Sequence, residues 1–245
     1  MKHRVVLMLT GCVAPNIKND VLAVTDINIR KQQYLNAIKW YSENTPFKIV
    51  FCENSGYDLS DEIALLGGQI EFLSFTASSE GAERGKGYKE MEILEYIHQN
   101  SDFCKEADLL VKITGRLVLL NIVNLVRCLD GQKQEFVSAY LYGRRYFSDS
   151  RFIFFSPKFF PLLLAQKENI VDWKHNFEYY TFAAVMQAQK QGIRFVYPSL
   201  PERVHGIGGG FGVTYDVSDW TYFKLNIRHQ LKRFLFQIGI LPRVK

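Results

Sequence analysis

The chain has 245 residues, 47% of them hydrophobic and 22% charged, which is enough to bury a sizeable core in one large domain with at most an appendage. No apolar run reaches the roughly 20 residues that span a bilayer, and the run from Arg4 to Leu9 is too short for a signal-peptide core, so the sequence predicts a cytoplasmic protein. The net charge of +5 is unevenly divided: Trp220 to Lys245 holds six Lys or Arg and no acid, while the first 219 residues set 24 basic against 25 acidic side chains. A positive excess confined to a tail points to an anionic surface and argues against an extended nucleic-acid-binding face. The four cysteines, Cys12, Cys52, Cys104 and Cys128, are widely separated, lack metal-ligand spacing and read as reduced structural thiols.

In chain order, Arg4-Val5-Val6-Leu7-Met8-Leu9 reads as a buried strand that stops at Thr10-Gly11. The spacing of Tyr34, Ala37, Ile38 and Tyr41 predicts a helix from Arg30 to Glu43. Phe47 to Cys52 is a second strand ending in Glu53-Asn54-Ser55-Gly56; a short helix, Ser60 to Leu66, leads to a third strand, Gln69 to Phe75. A polar loop from Thr76 to Gly87 precedes a helix from Tyr88 to Gln99, and a fourth strand, Leu109 to Ile113, runs into Thr114-Gly115-Arg116. Val118 to Leu129 reads as the next helix. This alternation predicts a mostly parallel sheet covered by helices. Phe136 to Leu141 and Arg151 to Phe155 then read as strands joined by a basic, aromatic segment, which suits an antiparallel extension.

In open α/β sheets, ligands collect outside the carboxyl ends of the strands, where helix N-termini offer unpaired N–H groups. Thr10-Gly11, Glu53-Asn54, Arg84-Gly85-Lys86-Gly87 and Lys112 to Arg116 all follow strands, so they are expected on one rim. Arg84 to Gly87 has the composition of a phosphate cradle but neither P-loop nor dinucleotide-fold spacing; a solvated loop at a helix start is the alternative. Lys112 and Arg116, close to the sheet core, each need an anionic partner, either a diphosphate or a structural carboxylate.

The most specific stretch is Asp172 to His205: Trp173, Phe177-Glu178-Tyr179, a helical run to Gln191, then Gly192-Ile193-Arg194-Phe195-Val196-Tyr197-Pro198 and His205. This order of acid, amphipathic helix, glycine, aromatic strand, proline and histidine resembles the C-terminal half of the core of GT-A-type inverting glycosyltransferases of the large family 2. The resemblance implies a GT-A-like, Rossmann-type α/β fold over residues 1–219, with a mixed, mostly parallel sheet and flanking helices. It also implies transfer of a sugar from a nucleotide-sugar donor, a UDP-sugar by preference, to a saccharide acceptor. Glu178 would be the general base, and Thr10, Gly11, Glu53, Asn54, Arg84, Lys86, Lys112, Thr114, Arg116 and His205 would line the donor. Such enzymes serve the assembly of bacterial capsule, lipopolysaccharide and similar surface polysaccharides on lipid-linked acceptors.

The chain departs from that pattern at the fourth strand, where Lys112-Ile113-Thr114-Gly115-Arg116 stands in place of the Asp-x-Asp that holds a divalent metal, Mg or Mn. Either cations, including Lys86, Arg144 and Arg145, replace the metal as counter-charge, or Asp149 supplies a ligand. Gly206 to Gly212, with five glycines in seven residues, reads as a lid. In residues 220–245, Phe223, Ile227, Leu231, Phe234, Leu235 and Ile238 repeat at three and four with cations on other faces, a basic amphipathic helix. That helix would hold the protein peripherally on the inner face of an anionic membrane, or pack its stripe on the domain. A sugar-phosphate nucleotidylyltransferase and a non-catalytic nucleic-acid- or carbohydrate-binding module are the alternative readings. The first would place a glycine- and lysine-bearing loop right after the first strand, where Thr10 to Pro15 has one glycine and no cation.

Overall fold

The structure is a computed structural model that describes residues 3–15, 22–142, 146–208 and 212–238. Arg144, Arg145 and three residues of the expected lid, Gly209, Gly210 and Phe211, lie outside them. The centre is a seven-stranded sheet in the order β10-β6-β9-β4-β1-β2-β3, with β1 Val5–Gly11, β2 Lys48–Glu53, β3 Ile70–Ser74, β4 Leu109–Thr114, β6 Phe136–Ser138, β9 Phe152–Phe155 and β10 Arg194–Phe195. Only β9 runs against the others, pairing antiparallel with both β4 and β6. The architecture is therefore the mixed, mostly parallel α/β sheet expected.

All seven residues of β1 are buried, which explains its unbroken apolar run: a central parallel strand is covered on both faces. Alternation then divides the core. Val6, Met8 and Leu110 face α4 (Lys86–Asn100) and α8 (Phe177–Lys190), whereas Leu7, Leu9, Val111 and Ile113 face α1 (Ile27–Asn44) and α6 (Ile122–Arg127). The helices start where their caps dictate. Asp26 accepts the Ile29 N–H at 2.9 Å to open α1, and Asn176 accepts the Tyr179 N–H at 3.2 Å to open α8. A short α2, Ser60–Leu66, joins β2 to β3, and α5, Asp102–Lys105, precedes β4.

Three elements differ from the sequence reading. The loop from Thr76 to Gly87 contains a short helix, α3 (Ser79–Arg84). Where a helix is expected from Val118 to Leu129, Leu117–Leu119 form a strand, β5, that pairs antiparallel with β11 (Val204–Ile207), and the helix α6 begins only at Ile122. The expected lid is built partly as a strand pair, since Gly206 and Ile207 of β11 pair with Tyr215 and Thr214 of β12 (Thr214–Asp216). A two-stranded ribbon, β7 (Leu141–Tyr142) with β8 (Phe147–Ser148), stands beside the main sheet, and α7 (Phe160–Leu164) follows β9. The last helix, α9 (Asp219–Gln237), packs on the segment 197–201. Among the described residues no helix is long and apolar enough to cross a membrane.

Candidate functional site

The carboxyl ends of β1 and β4 are paired, Thr10 beside Thr114, and β9 begins opposite Ile113, so the segment 149–151 reaches the same rim. On the α4 and α8 side this brings together a polar cluster. Lys112 is fully buried; its ammonium donates to Thr114 Oγ1 at 3.3 Å and to the Ser150 carbonyl and forms an ion pair with Glu90 Oε1 at 2.5 Å. Thr10 Oγ1 donates to the same Glu90 oxygen at 2.9 Å, and Ser150 Oγ donates to Glu178 Oε1 at 2.7 Å. Burial pushes the Glu178 carboxyl above its ordinary range; the Ser150 hydrogen bond opposes this, the Glu90 charge adds to it and the Lys112 charge draws it down. A carboxylate held by one hydroxyl near the end of the sheet is equipped to accept a proton.

Lys112 departs from its expected role as a donor ligand. Its ammonium is engaged by two hydrogen bonds and one ion pair within the chain and none of its surface is exposed, so in this structure it holds Glu90, Thr114 and Ser150 in place. Glu90 escaped the sequence reading, yet it left a signal. It lies four residues before Leu94 and seven before Ile97, on the buried stripe of α4, where an acid must have a buried cation.

Across β1, on the α1 side, lies a pair of buried guanidinium groups. Arg116 donates to Gln33 Oε1 at 2.9 Å and sits 5.8 Å from the Tyr34 ring. Arg30 donates through Nε to the Cys12 carbonyl at 2.8 Å, through Nη2 to the same oxygen, and through Nη1 to the Val24 carbonyl at 3.1 Å. No carboxylate pairs with either cation among the described residues. Burial lowers the Arg116 proton affinity, the Tyr34 hydroxyl opposes that and the Arg30 charge adds to it. Buried cations with no carboxylate partner among the described residues favour a negative charge beside them. Arg30 too was missed, and it carries the same signal as Glu90: it stands four residues before Tyr34 on the inner stripe of α1.

Two glycines let the strands close on this rim. A Cβ at Gly115 would stand 2.5 Å from the Thr10 carbonyl oxygen, and one at Gly206 would stand 2.7 Å from the Arg116 carbonyl oxygen, at a φ of +126°. Backbone cannot yield as a side chain tip can, so Gly115→Ala should lower stability by about 1–3 kcal/mol in urea titration. An unchanged midpoint would mean that the turn is looser than this packing.

The remaining expected residues fall as follows. Gly11 ends β1 with its Cα against the Phe51 ring. Glu53 is fully buried and accepts the N–H groups of Val13, Ser55 and Tyr57 at 2.8–2.9 Å and the Ser55 hydroxyl, so it fastens the turns after β1 and β2 instead of presenting a free carboxylate. The neighbouring Asn54 is buried; its Nδ2 donates to the Lys89 carbonyl at 3.4 Å and its Oδ1 accepts from no described group. His205, on β11, is exposed, 3.9 Å from the Asp216 carboxylate, and no described contact joins it to Glu178 or Lys112.

The cradle expected at Arg84 to Gly87 is filled by the protein itself. The Asp172 carboxylate accepts the Gly87 N–H at 3.0 Å and occupies the space that a Cβ at Gly85 or Gly87 would need. Arg84 turns away to Glu168 at 2.8 Å and to the Glu168 and Ile170 carbonyls, and stacks 4.3 Å over Tyr88. The anion at this helix start is therefore Asp172, and Arg84 is engaged with Glu168 and Ile170; Lys86 is the first residue of α4 beside it. Asp149 is likewise engaged, both of its oxygens accepting from Arg151, which also reaches Glu202 at 3.4 Å. Among the described residues no three His, Cys, Asp or Glu side chains are grouped to hold a metal ion. None of the four cysteines forms a disulfide among the described residues.

No family model matches the sequence, and none of the curated proteins does. Solved structures are similar at low identity. One is a protein from Desulfovibrio desulfuricans G20 assigned by inference as a nucleotide-diphospho-sugar transferase, at 12% identity over 79% of each chain and a TM-score of 0.49. Another is the glycosyltransferase GlyE of Streptococcus pneumoniae TIGR4, at 10% identity over 79% of this chain and 44% of that one, with a TM-score of 0.44. The inositol-1-phosphate CTP transferase from T. maritima is similar at 11% identity over 93% of this chain and 96% of that one, with a TM-score of 0.45.

Proposed function

We propose that the chain is a glycosyltransferase in which Glu178 removes the acceptor's proton and the Arg30–Arg116 pair balances the charge of a leaving nucleoside diphosphate. The observation that carries this reading is the Glu178 carboxylate, held by Ser150 at 2.7 Å beside the ends of β1 and β4, with buried cations across β1 that pair with no carboxylate among the described residues. In the reaction the acceptor hydroxyl oxygen bonds to the anomeric carbon as its proton passes to Glu178. The bond from that carbon to the diphosphate oxygen breaks on the far side, and its electron pair leaves with the diphosphate. Lys112 and Glu90 are positioning residues that keep Ser150 and Thr10 in register. In its finer form the proposal takes a UDP-sugar as donor and a saccharide on a lipid carrier as acceptor, in the synthesis of a surface polysaccharide such as capsule or lipopolysaccharide. The resemblance over residues 172–205 and the outward face of α9 support these choices.

One observation favours a second reading. Arg30 brings a guanidinium to the carbonyl of Cys12, which gives the loop after β1 the cation that its own sequence lacks, as a nucleotidylyltransferase would need. A thermal-shift screen of nucleoside diphosphates, nucleotide sugars and CTP, with and without chelator, separates the two. Stabilisation by a nucleoside diphosphate and its sugar, with donor hydrolysis, supports glycosyl transfer. Stabilisation by CTP with pyrophosphate release on adding a sugar phosphate overturns it. Arg116→Ala should weaken nucleoside diphosphate binding by about 10–100-fold in titration calorimetry, the loss of one or two charge-assisted hydrogen bonds. Affinity within twofold of the parent would make Arg116 a structural cation.

A further inference from the structure

Helix α9 presents its apolar stripe to solvent rather than to the domain. At 100° per residue, Trp220, Phe223, Ile227, Leu231, Phe234 and Ile238 fall within about 80° of one another. All six are exposed, from 50% at Ile238 to 65% at Trp220. The opposite side attaches the helix. Tyr222 accepts from Asn121 at 2.9 Å, His229 Nε2 donates to the Pro198 carbonyl at 2.8 Å and Phe236 packs 5.0 Å from the Tyr197 ring, while Gln230, at the edge of the stripe beside Phe223, donates to the Ser199 carbonyl at 2.9 Å. His229 is buried, and burial lowers its proton affinity, so the attachment is made by a neutral imidazole. The domain thus uses the polar and aromatic side of α9 as its joint and leaves the aliphatic side without a partner.

Charge identifies what covers it. At the same 100° per residue, Lys224 and Arg228 stand about 20° and about 60° beyond one edge of the stripe and Lys232 about 100°, toward the His229 side, and residues 220–245 contain no acid. A second copy meeting the stripe would bring another cationic flank and no acid from this segment, and a water-exposed apolar strip of this length is unfavourable for a monomer. An anionic bilayer meets both needs: acyl chains receive Phe223, Ile227, Leu231 and Phe234, and headgroup phosphates pair with the cations. Trp220, stacked on Phe223 at 5.8 Å and capped by the Lys224 ammonium at 4.9 Å, stands at one end, where an indole suits the interface.

We infer that α9 lies in the plane of an anionic membrane with its stripe of Trp220, Phe223, Ile227, Leu231, Phe234 and Ile238 in the lipid and the domain carried on its other side. This orientation is independent of the reaction proposed above. The test is co-sedimentation of the full chain with vesicles of phosphatidylcholine alone or mixed with phosphatidylglycerol, at low and high salt, with light scattering of the free protein. The parent should sediment with the anionic vesicles only, and less so in high salt. Ile227→Glu/Leu231→Glu, at positions already facing water, should keep the parent's circular dichroism spectrum and melting temperature and lose binding by about a hundredfold. Lys224→Ala/Arg228→Ala/Lys232→Ala should lose a similar factor, at about tenfold or less per cation.

Three results would overturn the inference. The first is a parent chain that stays in the supernatant with anionic vesicles. The second is a parent dimer that the double glutamate variant dissociates, which would make the stripe a self-association face. The third is vesicle binding that needs the cations but survives Ile227→Glu/Leu231→Glu, which would make α9 a general polyanion surface, nucleic acid included.

Discussion

Glu178→Gln is expected to reduce turnover about a thousandfold while nucleoside diphosphate affinity stays within a few-fold, because the amide keeps the shape and cannot take the acceptor's proton. The same variant should be at least as stable as the parent at neutral pH. Burial raises the folded-state proton affinity of Glu178 above the ordinary value of 4.5, so its ionised form weakens the fold above that raised value. The penalty is relieved as pH falls through the folded-state pKa toward the unfolded one, and a glutamine, neutral throughout, never carries it. The melting temperature of the variant should therefore match or exceed the parent's at neutral pH, and the difference should close in acid. In the parent, kcat/KM should fall on the acid side with a midpoint above 4.5. Retained turnover, or a variant markedly less stable at neutral pH, would show that the carboxylate is a structural partner of Ser150 and not a base.

The strands were legible where burial on both faces leaves an unbroken apolar run, as in β1, β2 and β4. Val118 and Leu119 were not, because a short apolar run fits helix and strand alike, and only pairing with Val204 and His205, far along the chain, decides for the strand. The site divides in the same way. Glu178 stood out because an acid in the first turn of a helix, within a recognisable order of elements, is a local signal. The fate of Arg84 to Gly87 depends on Asp172, which arrives from 85 residues downstream, and spacing within the loop carries no trace of it. Arg30 and Glu90 were legible in principle, since each puts a charge on the apolar stripe of a helix, an inconsistency that marks a partnered or functional residue. The stripe of α9 could be read from its period, but its direction could not, because facing the domain or facing water gives the same pattern.

Lys112→Met should destabilise the protein by about 3–5 kcal/mol, the typical result of removing one member of a buried ion pair. The ammonium has no exposed surface and is engaged by Glu90, Thr114 and Ser150; methionine fills the volume and leaves the Glu90 carboxylate with the Thr10 hydroxyl alone. Chemical denaturation of Lys112→Met/Glu90→Leu should recover most of the loss, because the pair is then replaced by apolar groups and no charge is stranded. Activity supplies a second readout. Glu178 feels Lys112 as an attraction that favours its ionised form and Glu90 as a repulsion that disfavours it. The single variant should therefore move the acid limb of the pH–rate profile to higher pH, and the double variant should bring it back toward the parent. A diphosphate ligand in direct contact with Lys112 would behave differently: nucleoside diphosphate affinity would fall in both variants and the double would rescue stability alone. The geometry predicts the opposite, since a buried ammonium already engaged by Thr114, Ser150 and Glu90 acts on the reaction through the position of Ser150 and the ionisation of Glu178.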